Sequence, residues 1–141
     1  MSDIAKTHLI ANPTTFYFRR TRPGPNVRGM SVSITHDRVA RAGWHPVVRT
    51  ETLETGTLHA VRLLEEDVLV WRGANGLHAW QDLCIHRGVK LSLGRVENGC
   101  QLRCPYHGRT YDEDGRCLHM PAHPSLKPPA RARAGTAGPR A

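Results

Sequence analysis

Two short segments, Cys84-Ile-His86 and Cys104-Pro-Tyr-His107, each hold a thiol and an imidazole two or three positions apart, with seventeen residues between His86 and Cys104. A glycine follows each histidine within two positions, Gly88 in the first segment and Gly108 in the second. Thiolates and neutral imidazoles suit a tetrahedral zinc ion or a sulfide-bridged pair of irons, so the ligand types leave both open. Spacing separates them in part. Structural zinc knuckles take both cysteines of a pair from one turn with about two to four residues between them, whereas each segment here supplies one Cys and one His. Two such loops facing each other can divide differently, both thiolates to one iron and both imidazoles to the other. The glycines then let the backbone approach bridging sulfides and donate N–H groups without a Cβ in the way.

Other candidates carry less chemistry. His119 and His123 are four apart, but Pro121 lies between them and no Asp or Glu follows Asp114, so a site of two His and one carboxylate is not expected. His8, His36, His45, His59 and His78 have no partner spacing and read as structural or surface residues. Asp112-Glu-Asp114 reads as a solvated turn, with a basic partner as its functional alternative. Cys100 and Cys117 read as reduced core thiols.

The elements that must position the two loops are strands. Trp44-His-Pro-Val-Val48, Leu58-His-Ala-Val-Arg-Leu-Leu64, Asp67-Val-Leu-Val-Trp71 and Leu77-His-Ala-Trp80 are short apolar or alternating runs. Turn signals at 55–56, 65–67 and 73–76 separate them, and one helical turn is expected near residues 52–55. Strands at such spacing predict an all-β fold, an antiparallel β-sandwich or small barrel.

Length and charge set the frame. A chain of 141 residues accommodates one small domain with tails. Its formal charge of +8 invites a nucleic-acid reading, but the charge is segregated. Residues 1–43 hold seven basic and two acidic groups, residues 44–126 nine and ten, and residues 127–141 four and none. A basic lead-in (1–43) and an Ala/Arg/Pro/Gly tail (127–141), both expected to be loose, therefore flank a nearly neutral domain (44–126), and nucleic acid is not an expected partner. Phe16-Tyr-Phe18 is the one piece of the lead-in expected to dock. No apolar run approaches the roughly 20 residues of a membrane span, and no secretory signal opens the chain, so a cytoplasmic location is expected.

From about residue 43 to 124 the sequence resembles the Rieske iron-sulfur domains. The likeness rests on Trp44-His-Pro-Val, Cys-Ile-His-Arg-Gly, Cys-Pro-Tyr-His-Gly, Tyr111-Asp-x-x-Gly115 and Met120-Pro-Ala122. It implies a cluster-binding subdomain at one tip of the β-domain. It also implies a [2Fe-2S] cluster held by Cys84, His86, Cys104 and His107, with Pro121 in a third loop against it. The respiratory members carry an extra Cys in each loop and a Ser after the second His-Gly; Val89, Tyr106 and Arg109 stand at those positions here. Fewer donors to sulfur place the expected potential toward the lower end of the Rieske range, roughly −150 to +300 mV.

Among low-potential members, the long lead-in, Arg87-Gly88 and Tyr106 look more like the N-terminal domain of Rieske non-haem iron oxygenases than like stand-alone Rieske ferredoxins, although Arg109 departs from the Trp common in oxygenases. The resemblance thus implies one-electron transfer, with a flavin- or ferredoxin-type reductase as donor and an oxygenase catalytic domain or subunit as acceptor. The mononuclear iron domain of such oxygenases is not expected within these residues, so a truncated or split oxygenase is the expectation. A stand-alone ferredoxin and a zinc-binding interaction module are the alternatives.

Overall fold

The computed structural model describes residues 10–11, 15–18 and 43–135. Among the described residues ten strands build three antiparallel sheets. The first sheet holds β1 (Ile10–Ala11), β2 (Phe16–Phe18) and β3 (His45–Val48) in that order. Phe16-Tyr-Phe18 therefore does dock: it pairs with β3, Phe16 opposite Val48 and Phe18 opposite His45. A 3-10 turn at Thr50–Thr52 follows, close to where the helical turn was expected.

The second sheet is a meander of β4 (Leu58–Leu63), β5 (Glu66–Gly73) and β6 (Gly76–Gln81). Its middle strand explains its own sequence. Val68, Leu69, Val70 and Trp71 are all buried because both faces of β5 are covered, so the run is continuous rather than alternating. Leu69 and Trp71 face one core with Trp80, Leu91, Leu102 and Tyr111. Val68 and Val70 face the other with Leu53 and Ala79, against which Val47 and Val48 of β3 pack. The β4–β5 hairpin closes through Leu64 and Glu65 at φ +47° and +67°, left-handed residues that match the twist of the strands.

The third sheet carries the two candidate loops. Its strands are β7 (Arg95–Glu97), β8 (Gln101–Arg103), β9 (Thr110–Tyr111) and β10 (Cys117–His119), ordered β10-β9-β8-β7. One loop runs from β6 toward β7 and the other joins β8 to β9, so both leave the same end of the sheet. This is the expected all-β sandwich with a loop-bearing subdomain at one tip.

One expectation needs correction. Residues 127–135 of the tail are not loose: Ala132 and Ala134 are buried in the core with Trp80 and Tyr111. The Cys117 N–H donates to Ala132 O at 2.8 Å, Ala134 N–H to Gly115 O at 2.7 Å, and Gln81 N–H to Gly135 O at 2.6 Å. Within Ala-Arg-Ala-Arg-Ala only Ala132 and Ala134 turn inward, while Arg131 is exposed and Arg133 is half-buried with its Nη2 donating to Asp114 O at 3.1 Å, a pattern too weakly apolar to stand out. The remainder of the tail, and the lead-in apart from residues 10–11, 15–18 and 43, lie outside the described residues. Among the described residues no helix is long and apolar enough to cross a membrane.

Candidate metal centre

The two loops have the same backbone. Cys84 N–H donates to Val89 O and Cys104 N–H to Arg109 O, each at 2.8 Å, five residues on in both cases. Gly88 N–H returns to Cys84 O at 2.9 Å and Gly108 N–H to Cys104 O at 3.2 Å. Each loop is thus one tight turn closed by a glycine in the left-handed region, at φ +71° for Gly88 and +65° for Gly108. That backbone requirement accounts for glycine at both positions. Gly108 is also crowded: a Cβ there would lie 3.0 Å from Arg103 Nη2 and 3.2 Å from Pro121 Cγ. Pro121 therefore lies against the second loop.

The structure brings all four singled-out residues together and sorts them by type. Cys84 and Cys104 are buried, each about 3% exposed, and line the same cleft between the loops. His86 and His107 are both exposed, and their ring centroids stand 4.8 Å apart at 68°. Among the described residues no three His, Cys, Asp or Glu side chains gather round a single point. Two thiols inside and two imidazoles outside are the donor types that a binuclear centre with one sulfur-ligated and one nitrogen-ligated metal takes. A single tetrahedral zinc fits this arrangement less well.

In the metal-free chain the surroundings act oppositely on the two ligand types, keeping the thiol protonated and the imidazole neutral. Burial pushes the Cys104 thiol above its ordinary range, and the neighbouring Cys84 adds to the rise, while the backbone N–H groups of Tyr106 and His107 pull against it by pointing at the sulfur. Those amides are the sulfur donors that the close approach of backbone provides. Partial desolvation, followed by the charges on Arg109, His107 and Arg87, holds His86 below the ordinary imidazole range, so its ring stays neutral and free to bind metal.

Tyr111 was quoted in the sequence resemblance but not recognised as part of the centre. Its hydroxyl lies 3.2 Å from Cys84 Sγ in the buried core. Burial first, and the Cys84 hydrogen bond second, raise the phenol far above its ordinary range, so it keeps its proton and can donate to a ligating sulfur. Tyr111 meets Trp80 edge-on at 6.2 Å, and Trp80 meets Trp71 edge-on at 5.2 Å, which fixes the phenol from behind. The only advance signal for this role was the position of Tyr111 seven residues after Cys104.

The acidic turn behaves differently from its expectation. Residues 112–114 follow β9 at the end away from the loop that precedes it, and Glu113 is not solvated. Its carboxylate accepts from Asn75 N at 3.0 Å and from Asn75 Nδ2, and lies 3.3 Å from His78 Nε2. This engagement clasps the third sheet to the β5–β6 hairpin. Cys117 is buried near Cys84 and Tyr111, whereas Cys100 is only half-buried in the β7–β8 turn and is no core thiol. His119 and His123 are exposed.

A β-domain that presents paired thiols and paired imidazoles on two matched loops at one tip is a carrier of a binuclear iron-sulfur cluster. The family profile described as "Rieske [2Fe-2S] domain" matches residues 43–130, and the chain belongs to that family. The cofactor of the domain is a [2Fe-2S] cluster, and its function is electron transfer through that cluster. Oxidoreductase NdmD of Pseudomonas putida is 40% identical over 95 residues, which are 66% of this chain and 16% of that protein. Methylxanthine N1-demethylase NdmA of the same species is 43% identical over 96 residues, 64% of this chain and 27% of NdmA. The crystal structure of dicamba monooxygenase with non-heme iron and dicamba superposes with a TM-score of 0.59 at 32% identity, covering 67% of this chain and 28% of the monooxygenase. The chain thus spans about a quarter or less of the curated relatives it matches.

Proposed function

We propose that Cys84 and Cys104 hold the inner iron of the cluster and His86 and His107 the outer one. The observation that carries the assignment is the sorting of the four side chains into a buried thiol pair and an exposed imidazole pair. When bound, the cluster supplies a one-electron couple whose nitrogen-ligated iron lies toward solvent. The chain's own residues do the rest. Gly88 and Gly108 close the loops, and the amides of Tyr106 and His107 with the Tyr111 hydroxyl donate to the two cysteine sulfurs. Exposed imidazole edges give an electron a short route across the surface. Leu91, Leu102 and Trp80 keep water from the sulfurs behind them.

In this reading the chain is the electron-carrying part of a Rieske oxygenase system in the cytoplasm. A flavin- or ferredoxin-type reductase is the donor, and a mononuclear-iron catalytic domain is the acceptor. The oxygenase and demethylase names of the relatives support the setting, and four free cysteines suit a reducing compartment. Protein purified without oxygen from iron-supplied cells should be coloured, with iron and acid-labile sulfide in a one-to-one ratio and a Rieske-type EPR signal on reduction. Zinc without sulfide would overturn the proposal.

A further inference from the structure

The surface that exposes the two imidazoles is more than an opening. The cleft between the loops is walled by two guanidinium groups, Arg87 and Arg109, and no carboxylate lines it. Among the described residues neither arginine makes an ion pair. The acids nearest in the fold are otherwise engaged. Asp67 faces Lys90 at 3.4 Å and Arg62 at 3.6 Å, Glu97 lies between Arg95 and Arg103, and Asp82 is buried with both oxygens on Ser92. The rim is apolar: Ile85 is 41% exposed, Leu83 41%, and Tyr106 60%, with the Tyr106 ring 3.8 Å from that of His107. Exposed Tyr and Arg around apolar contacts are the composition of a protein-binding hot spot rather than of idle surface.

We propose that this tip receives an acidic electron-transfer protein, one that surrounds its own redox group with carboxylates and meets Ile85 and Tyr106 with an apolar patch. The inference rests on the electron-transfer reading above and adds the sign of the partner. The exposed Arg87 guanidinium, with Arg109 beside it against the Cys117 thiol and no carboxylate facing either, attracts such a face and orients it with its redox group toward His86 and His107. Two cations with an apolar rim suit a compact carboxylate ring better than the long phosphate track of a nucleic acid.

Small charged oxidants test the sign without an identified partner. In stopped flow, the reduced holoprotein gives one electron to each hexacyanoferrate(III), a trianion, or to each hexaammineruthenium(III), a trication. The proposal expects the hexacyanoferrate rate to fall with rising ionic strength and the hexaammineruthenium rate to rise. Arg87→Glu should weaken or reverse both slopes, whereas Arg116→Glu, the same charge change on the turn beyond β9, should alter them much less. Flat or opposite slopes on wild-type protein with an intact Rieske spectrum would overturn the proposal, and so would equal effects of the two variants. So would duplex DNA that binds at the tip and blocks hexacyanoferrate. A preparation with no Rieske spectrum is a different result, because it overturns the electron-transfer reading itself.

Discussion

The hydroxyl of Tyr111 lies 3.2 Å from the sulfur of Cys84, both residues being buried. Reduction adds negative charge to the cluster and its sulfurs, and a donor at this distance stabilises the reduced state more than the oxidised one. Tyr111→Phe keeps the ring edge-on to Trp80 and removes only that donor. Redox titration of the variant should show a lower potential. Losing a hydrogen bond to a charged acceptor costs about 1.5–3 kcal/mol at most, and about 1.4 kcal/mol corresponds to 59 mV for one electron, so a drop of several tens of millivolts is expected. An unchanged potential would remove Tyr111 from the centre.

Gly88 and Gly108 share a backbone conformation but not surroundings. Alanine at either position meets the left-handed penalty of about 1–2 kcal/mol. At Gly108 it also meets Pro121 and the Arg103 guanidinium, whereas at Gly88 the nearest atom, Leu83 Cδ1, is 3.6 Å away. Gly108→Ala should therefore lose more thermal stability and more cluster than Gly88→Ala, as judged by melting temperature and by iron content per chain.

Glu113 ties the third sheet to the β5–β6 hairpin. Burial raises its carboxyl, but two donors on Asn75 and the nearby His78 outweigh burial, and the net position is below the ordinary carboxylate range. A carboxylate held low when folded contributes fully above its unfolded value, and that contribution fades as pH falls through the folded one. Glu113→Gln should lower stability near neutrality by about 1–3 kcal/mol, the usual cost of weakening a partly buried network. It should also flatten the loss of stability on acidification below about pH 4.5 that is expected of wild type. Urea melts across that pH range would check both.

The β4–β5 hairpin uses Leu64 and Glu65 where Asn-Gly is the favoured pair. The double change Leu64→Asn with Glu65→Gly should stabilise the domain by about 1–2 kcal/mol, measured by denaturant melting.

Much of this was legible in the residues. The thiol and imidazole quartet stood out because metal ligands need particular types at fixed spacing, and β3 to β6 stood out because their runs of Val, Leu and Trp are long enough to show a pattern. β7 to β10 did not, since strands of two or three residues carry no readable period and are held by neighbours rather than by their own sequence. Glu113 looked like solvent-facing charge because its partner Asn75 is 38 residues away, and only the packing of two sheets brings them together. Ala132 and Ala134 escaped notice for a related reason. Alanine fills a narrow gap well but advertises burial poorly, so the boundary set at residue 126 left out two residues that pack into the core. Tyr111 was visible as a letter, and its role depended on a contact with Cys84 across 27 positions.

The central claim is that two cysteines hold one iron and two histidines the other. Mössbauer spectroscopy of the protein enriched in iron-57 tests this most directly, because it resolves each iron by its ligands. The account predicts two inequivalent irons in equal amounts, with the added electron of the reduced state localised on the one ligated by His86 and His107. Two equivalent sulfur-ligated irons, or no iron at all in protein that holds zinc, would contradict it.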